Sequence, residues 1–132
     1  METIRTLLVD DENEFLEPLV KRLRRRKIDV RTAASGEAAL EMLAAAPVDV
    51  VVLDVRMPGM DGIQTLREIK ARDPGVEVIM LTGHASIEVA VEGMELGAFD
   101  YLMKPMNIDE LVYKLQDAHK RKQLREATGS DS

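Results

Sequence analysis

Five times along this chain a short apolar run gives way to a longer stretch with apolar residues at helical spacing, and that alternation narrows the fold most. The runs are residues 4–9, 28–33, 48–53, 76–81 and 98–103. Each is short enough for one strand, and the stretches between them suit helices of about three turns or more. Helices are predicted from about Asn13 to Lys27, from Ser35 as N-cap to Ala46, from after Gly62 to Arg72, from Ser86 to Leu96 and from Asn107 to Glu126. Pro18 falls inside the first and predicts a kink there, since it removes a backbone donor. Asp73-Pro74-Gly75 stops the third helix, and Gly97 suits the position just past the fourth. Asn107-Ile108-Asp109-Glu110 reads as a capping box opening the fifth.

Strands alternating with helices predict an α/β domain, a doubly wound parallel sheet with helices on both faces. The first, third and fourth runs are almost wholly apolar at their centres, as strands buried on both faces must be. Asp29 and Arg31 in the second run and Asp100 in the fifth mark those two as edges. The strand order that follows is 2-1-3-4-5, the flavodoxin-like arrangement. Its reversal point lies between the first and third strands, and ligands bind there, beyond the carboxyl ends of the strands.

A chain of 132 residues is expected to form one domain, here residues 1–126, with 127–132 a polar tail or the start of a linker. A net charge of -6 opposes a nucleic-acid or anionic-membrane surface, both partners being polyanions. No apolar stretch reaches the roughly 18 residues of a membrane span, and the first residues lack the shape of a signal peptide, so a cytoplasmic location is expected. The absence of cysteine excludes a disulfide framework and thiolate zinc sites.

The ends of the strands carry the chemistry. The first strand ends at Asp10-Asp11, the third at Asp54, the fourth at Thr82 and the fifth at Lys104, all on one edge of the sheet around the crevice. Three carboxylates brought this close repel one another unless a cation lies between them. A set of oxygen ligands in an open site suits Mg2+ or Mn2+, which retain waters and bind carboxylates together with a phosphate. A hydroxyl and an ammonium facing the metal can hold the other oxygens of a phosphoryl group. Such a site transfers phosphoryl groups by positioning and charge neutralisation.

Leu8-Val9-Asp10-Asp11, residues 53–62 (LDVRMPGMDG), Leu81-Thr82-Gly83 and Leu102-Met103-Lys104-Pro105 resemble, in order, the motifs of the receiver domain of two-component response regulators. The resemblance covers about residues 4–120. It implies that Asp54 is the phospho-acceptor, receiving phosphate from a sensor histidine kinase. It implies that Asp11, Asp54 and the backbone carbonyl of Arg56 ligate the metal, with Asp10 acting through a water. Lys104 would pair with the phosphoryl oxygens and Thr82 would hydrogen-bond one of them. Tyr101 would follow Thr82 as the switch, reshaping the face made by the fourth helix, fifth strand and fifth helix, with Ile87, Val91 and Met106 as apolar contacts. The Lys104–Pro105 bond would be cis. Residues 82–91 and 97–102 most resemble receivers of enhancer-binding transcription activators, in which an ATPase and DNA-binding output region follows. Such a region is the expected C-terminal partner in a full-length protein, and a homodimer a further expected state.

Read singly, several of these residues have plain structural roles. A lone strand-end aspartate often caps a helix, and a threonine after a strand is often a turn residue. The basic run Lys21–Lys27 reads as a solvated helix end complementing the dipole, and His119 as a surface residue of the last helix. His84 and Arg56 sit two residues after Thr82 and Asp54, where they could influence loss of phosphate to water. A phosphatase of the haloacid dehalogenase type would want a second Asp two residues after its nucleophile, and those places hold Glu12 and Arg56. No GxxxxGK[ST] or GxGxxG supports a nucleotide or flavin binder. The remaining alternative is a phosphorylation-independent interaction domain of the same fold, which would be expected to have lost an acid or the lysine.

Overall fold

The structure, a computed structural model, describes residues 3–56, 60–83 and 87–128. The elements run β1 (Arg5–Val9), α1 (Asn13–Arg25), β2 (Asp29–Ala33), α2 (Gly36–Ala45), β3 (Val50–Asp54), α3 (Gly62–Arg72), β4 (Glu77–Thr82), α4 (Ile87–Glu95), β5 (Asp100–Met103) and α5 (Ile108–Thr128). The strands form one parallel sheet in the order β2-β1-β3-β4-β5. The edges are β2, which carries Asp29 and Arg31, and β5, which opens on Asp100. In the central strands nearly every side chain is buried, because helices cover both faces.

Two apolar layers flank the sheet. One joins Leu8, Val50, Val52, Ile79 and Leu81 to α1 and α5 through Leu16, Leu23, Leu111 and Leu115. The other joins Leu7, Val9, Val51, Leu53, Val78 and Met80 to Leu40, Leu66 and Ile69. Alternate residues of one strand thus enter opposite layers, as the pleat requires.

The helix ends show where local chemistry matched the sequence and where it did not. Ser35 caps α2 through its hydroxyl oxygen, which accepts from the Ala38 N–H. At Gly97 the backbone has φ +106°, and its C″ neighbour Ala98 donates to Gly93 O, closing α4 in a Schellman turn that glycine enters without strain. Asn107 caps α5 by accepting from Asp109 and Glu110 N–H. A reciprocal capping box occurs instead at Asp61 and Gln64, opening α3. Helix α1 stops at Arg25, before the expected Lys27, because Lys27 turns left-handed (φ 63°) and Ile28 N–H reaches back to Leu23 O. Helix α1 carries through Pro18, which sits on its exposed side, and α5 runs past the expected end to Thr128.

At the amino edge of the sheet, opposite the crevice, two carboxylates are buried beneath α5. Asp49 accepts a bidentate pair from the Arg5 guanidinium and lies near Lys122 and His119. Burial alone would raise the Asp49 pKa, but the Arg5 side-chain and backbone hydrogen bonds hold it below the ordinary carboxylate range. Glu77 is surrounded by Lys70, Arg121 and Arg125 at 3.5–3.8 Å. His119 is therefore a buried residue facing Asp49, and the surface role expected for it is corrected. The basic run keeps its solvated character apart from Leu23, which is buried, Arg24, which donates to Val30 O, and Arg26, which pairs with Asp109.

Candidate functional site

The register of the sheet assembles the crevice. Val9 lies opposite Leu53, so the next residues, Asp10 and Asp54, emerge side by side from β1 and β3. Thr82 lies opposite Met103, and the following Lys104 donates its N–H to Thr82 O. The peptide bond after Lys104 is cis to Pro105. Gly62 keeps the end of β3 tight against α3: a Cβ there would come within 2.6 Å of Val55 Cα and 2.7 Å of Asp54 O.

Asp10, Asp11, Glu12 and Asp54 each offer a carboxylate oxygen, and these oxygens lie within 4.8 Å of one another. Asp10 and Asp54 are buried, while Asp11 and Glu12 are open to solvent. The Lys104 ammonium is 2.8 Å from Asp10 Oδ2, 3.7 Å from Glu12 Oε1 and 3.8 Å from Asp54 Oδ2. Backbone N–H groups add two anchors, Glu12 to Asp10 Oδ1 and Arg56 to Asp54 Oδ1.

The charges are unevenly compensated. The ammonium sits on Asp10, leaving Asp54 less neutralised. Burial pushes the Asp54 pKa up to about 6; Asp10 and Asp11 add to the rise, and the Arg56 N–H and Lys104 oppose it. Burial is also the largest influence on Lys104 and would lower its pKa. The Asp10 hydrogen bond and the charges of Asp54, Asp10 and Glu12 together outweigh it and raise the pKa.

All-oxygen ligands at this spacing, two buried and two open, fit a hard divalent cation that keeps part of its hydration. The fit rests on the donor set, and a cation there would offset both the burial of the Asp54 charge and its repulsion by Asp10 and Asp11.

The other expected residues hold more distant places. Thr82 is wholly buried, and its hydroxyl donates to Gly83 O at 3.0 Å. Tyr101, half-buried, lies two residues before the Met103 that pairs with Thr82, so the two share a face of the sheet. On the surface of α4 and α5, Val91, Met94 and Tyr113 are exposed, whereas Met106 packs against the core layer beneath α5. His84, Ser86 and the turn at Met57-Pro58-Gly59 lie outside the described residues.

Two residues join the site without having been expected. Glu12 follows the Asp10-Asp11 pair directly, and the bend into α1 turns its carboxylate back toward Lys104. Phe15, in the first turn of that helix, lies under the Lys104 ammonium, 4.3 Å from ring centroid to Nζ. The signal available for Phe15 was its position two residues after the predicted start of a helix packed beside the acid pair.

The family model described as response regulator receiver domain matches residues 6–116. The chain belongs to the response regulator receiver family. It is 43% identical over 117 residues to the transcriptional regulatory protein ZraR of Escherichia coli K12, covering 89% of this chain and 26% of that protein. It is 40% identical over 111 residues to the DNA-binding transcriptional regulator NtrC of the same strain, covering 84% of this chain and 24% of that protein. This receiver thus spans about a quarter of the length of these relatives. Among solved structures it matches a response regulator receiver domain from Clostridium thermocellum, with TM-score 0.88 and 36% identity, covering 92% of this chain and 98% of that one. NtrX from Brucella abortus matches with TM-score 0.90 and 30% identity, over 97% of this chain and 29% of that one.

Proposed function

We propose that this receiver accepts a phosphoryl group on Asp54 from a sensor histidine kinase and uses it to control an output region. The observation that carries the reading is the pocket: buried Asp54 with a raised pKa, ringed by three further carboxylates and one ammonium. In the transfer, an Asp54 oxygen bonds to phosphorus as the phosphorus–nitrogen bond of phosphohistidine breaks, and the leaving imidazole keeps the electron pair. Asp11, Asp54 and the Arg56 carbonyl would hold Mg2+ or Mn2+ directly and Asp10 through a water; the bound cation supplies neutralisation of the phosphoryl charge. Lys104, shared among Asp10, Glu12 and Asp54, balances the remaining charge.

This requires magnesium-dependent labelling by a small donor such as a phosphoramidate, because the site supplies the catalysis and the kinase only the phosphoryl group. Intact-mass measurement should show one added phosphoryl group, absent with EDTA and absent in Asp54→Ala. Equal labelling of Asp54→Ala would remove Asp54 from the role.

The signal would leave through Thr82 and Tyr101. A Thr82 hydroxyl that exchanges Gly83 O for a phosphoryl oxygen vacates space into which the Tyr101 ring turns, altering the face of α4, β5 and α5. A phosphoryl mimic with magnesium should then shift amide NMR signals across residues 87–101, and Thr82→Ala should bind the mimic but lose most of that response. Shifts confined to the Asp54 loop in the wild type would reject the switch. Residues 1–126 are proposed as the receiver unit and 127–132 as a polar tail or the start of a linker. A C-terminal ATPase and DNA-binding region, a homodimer formed through the switched face and a cytoplasmic location complete the proposal; its motivation is the likeness to ZraR and NtrC, described as transcriptional regulators.

A further inference from the structure

We propose that Phe15 is a positioning residue for Lys104: its ring carries the ammonium over the acid pocket and keeps it there when a divalent cation claims the carboxylates. The proposal deepens the phospho-acceptor reading and rests on it for the importance of Lys104. Lys104 has two kinds of partner. The first is ionic: Asp10 at 2.8 Å, with Glu12 and Asp54 beyond it. The second is the Phe15 ring face, 4.3 Å from Nζ. A face-on cation at this distance is held by the ring quadrupole, and more firmly where water is partly excluded. The Lys104 side chain is only 21% exposed, so that condition is met.

The two kinds of partner respond differently to a metal. A dication bound by the carboxylates takes up the charge that now attracts Lys104 and adds repulsion of its own. The ring is not a ligand and loses nothing. Without it, a lysine with four rotatable bonds would be free to swing toward solvent when the metal enters. The ring itself is fixed. Phe15 N–H donates to Glu12 O in the first turn of α1, next to buried Leu16, and the ring packs against the core layer beneath α1 and α5. The chain segment that supplies three of the four carboxylates therefore also supplies the support for the cation facing them.

Two measurements test this. The first replaces Phe15 with mono-, di- and trifluorophenylalanine, which preserve shape while progressively weakening the ring's attraction for a cation. Magnesium-dependent labelling by phosphoramidate should slow stepwise, to about three- to tenfold at the trifluoro ring, with the unfolding midpoint unchanged. Phe15→Leu should be slowed at least as much and Phe15→Tyr should retain the wild-type rate. Labelling that is indifferent to fluorination, or a Phe15→Leu rate equal to wild type, overturns the proposal. The second does not depend on phosphotransfer. The Lys104 ε-methylene NMR signals should be shifted upfield by the ring current, remain so at saturating Mg2+ and move to ordinary lysine values in Phe15→Leu. Loss of the upfield shift on adding Mg2+ overturns the role of Phe15. A wild type that cannot be labelled but keeps the shift overturns the phospho-acceptor reading alone.

Discussion

Lys104→Met should destabilise the metal-free protein by about 3 kcal/mol and slow its phosphoryl labelling by about a hundredfold, and magnesium should repair only the first defect. The stability loss follows from Asp10, which is 1% exposed and is paired at 2.8 Å with the Lys104 ammonium, its one close cation among the described residues. Removing one partner of a buried ion pair leaves the other charge uncompensated, at a cost of about 3–5 kcal/mol. The lower end applies here, because Asp10 keeps its hydrogen bond from the Glu12 N–H. A divalent ion among Asp10, Asp11, Glu12 and Asp54 would replace the missing positive charge and restore the unfolding midpoint. It would not restore the contact with the transferred oxygens, and loss of a single preorganised donor to developing charge costs about 10²–10³ in rate. A variant that labels normally would show that Lys104 serves the empty pocket alone.

Acidification should stabilise the metal-free protein before it denatures it. The folded-state pKa of Asp54 is raised to about 6 by burial, with Asp10 and Asp11 adding to the rise, against about 3.9 in an unfolded chain. A raised carboxylate pKa means that the folded form binds the proton more tightly, so folding gains stability as pH falls from about 7 toward about 4. The shift corresponds to a gain of about 2 kcal/mol once screening by water at the open rim is allowed for. Asp49 works in the opposite sense: its lowered pKa contributes stability above about 4 that is lost on further acidification. The metal-free midpoint should therefore pass through a maximum between about pH 4 and 5. Asp54→Asn should be more stable than wild type by about 1–2 kcal/mol at pH 7 and should flatten the rise. Asp11→Asn should do the same more weakly, because Asp11 is solvent-exposed and ranks behind burial and Asp10 in raising Asp54. A wild-type midpoint that falls steadily from pH 7 would mean that the Asp54 carboxyl pKa is not raised in the folded protein.

The strand order was legible because the first, third and fourth runs are apolar at their centres, whereas Asp29 and Arg31 mark the second and Asp100 the fifth as edges. The acid cluster was legible because strand ends in a doubly wound sheet share one edge, so residues separated by tens of positions fall together by topology alone. What the sequence concealed depends on side-chain direction. Asp49 and Glu77 sit in apolar runs and become tolerable only because cations on α5, some 45–75 positions later in the chain, fold over them. His119 was misread for the same reason, its burial being decided by a partner at position 49. The Asp61–Gln64 box did have a local signal, the spacing of cap and N3 residue, obscured by the more obvious turn before it. The end of α1 had no such signal, since Lys27 is a left-handed residue where glycine would be expected.

The phospho-acceptor role of Asp54 comes down to a single bond, between phosphorus and one of its carboxylate oxygens, and borohydride trapping reads that bond directly. An aspartyl phosphate is an acyl phosphate, and borohydride reduces it to homoserine while leaving free carboxylates intact. After labelling with phosphoramidate and magnesium, reduction and digestion, mass spectrometry should find homoserine in place of aspartate at position 54, with Asp10, Asp11 and Glu12 unmodified. Homoserine at position 10 or 11, or phosphate retained on a serine, threonine or histidine, would contradict the account.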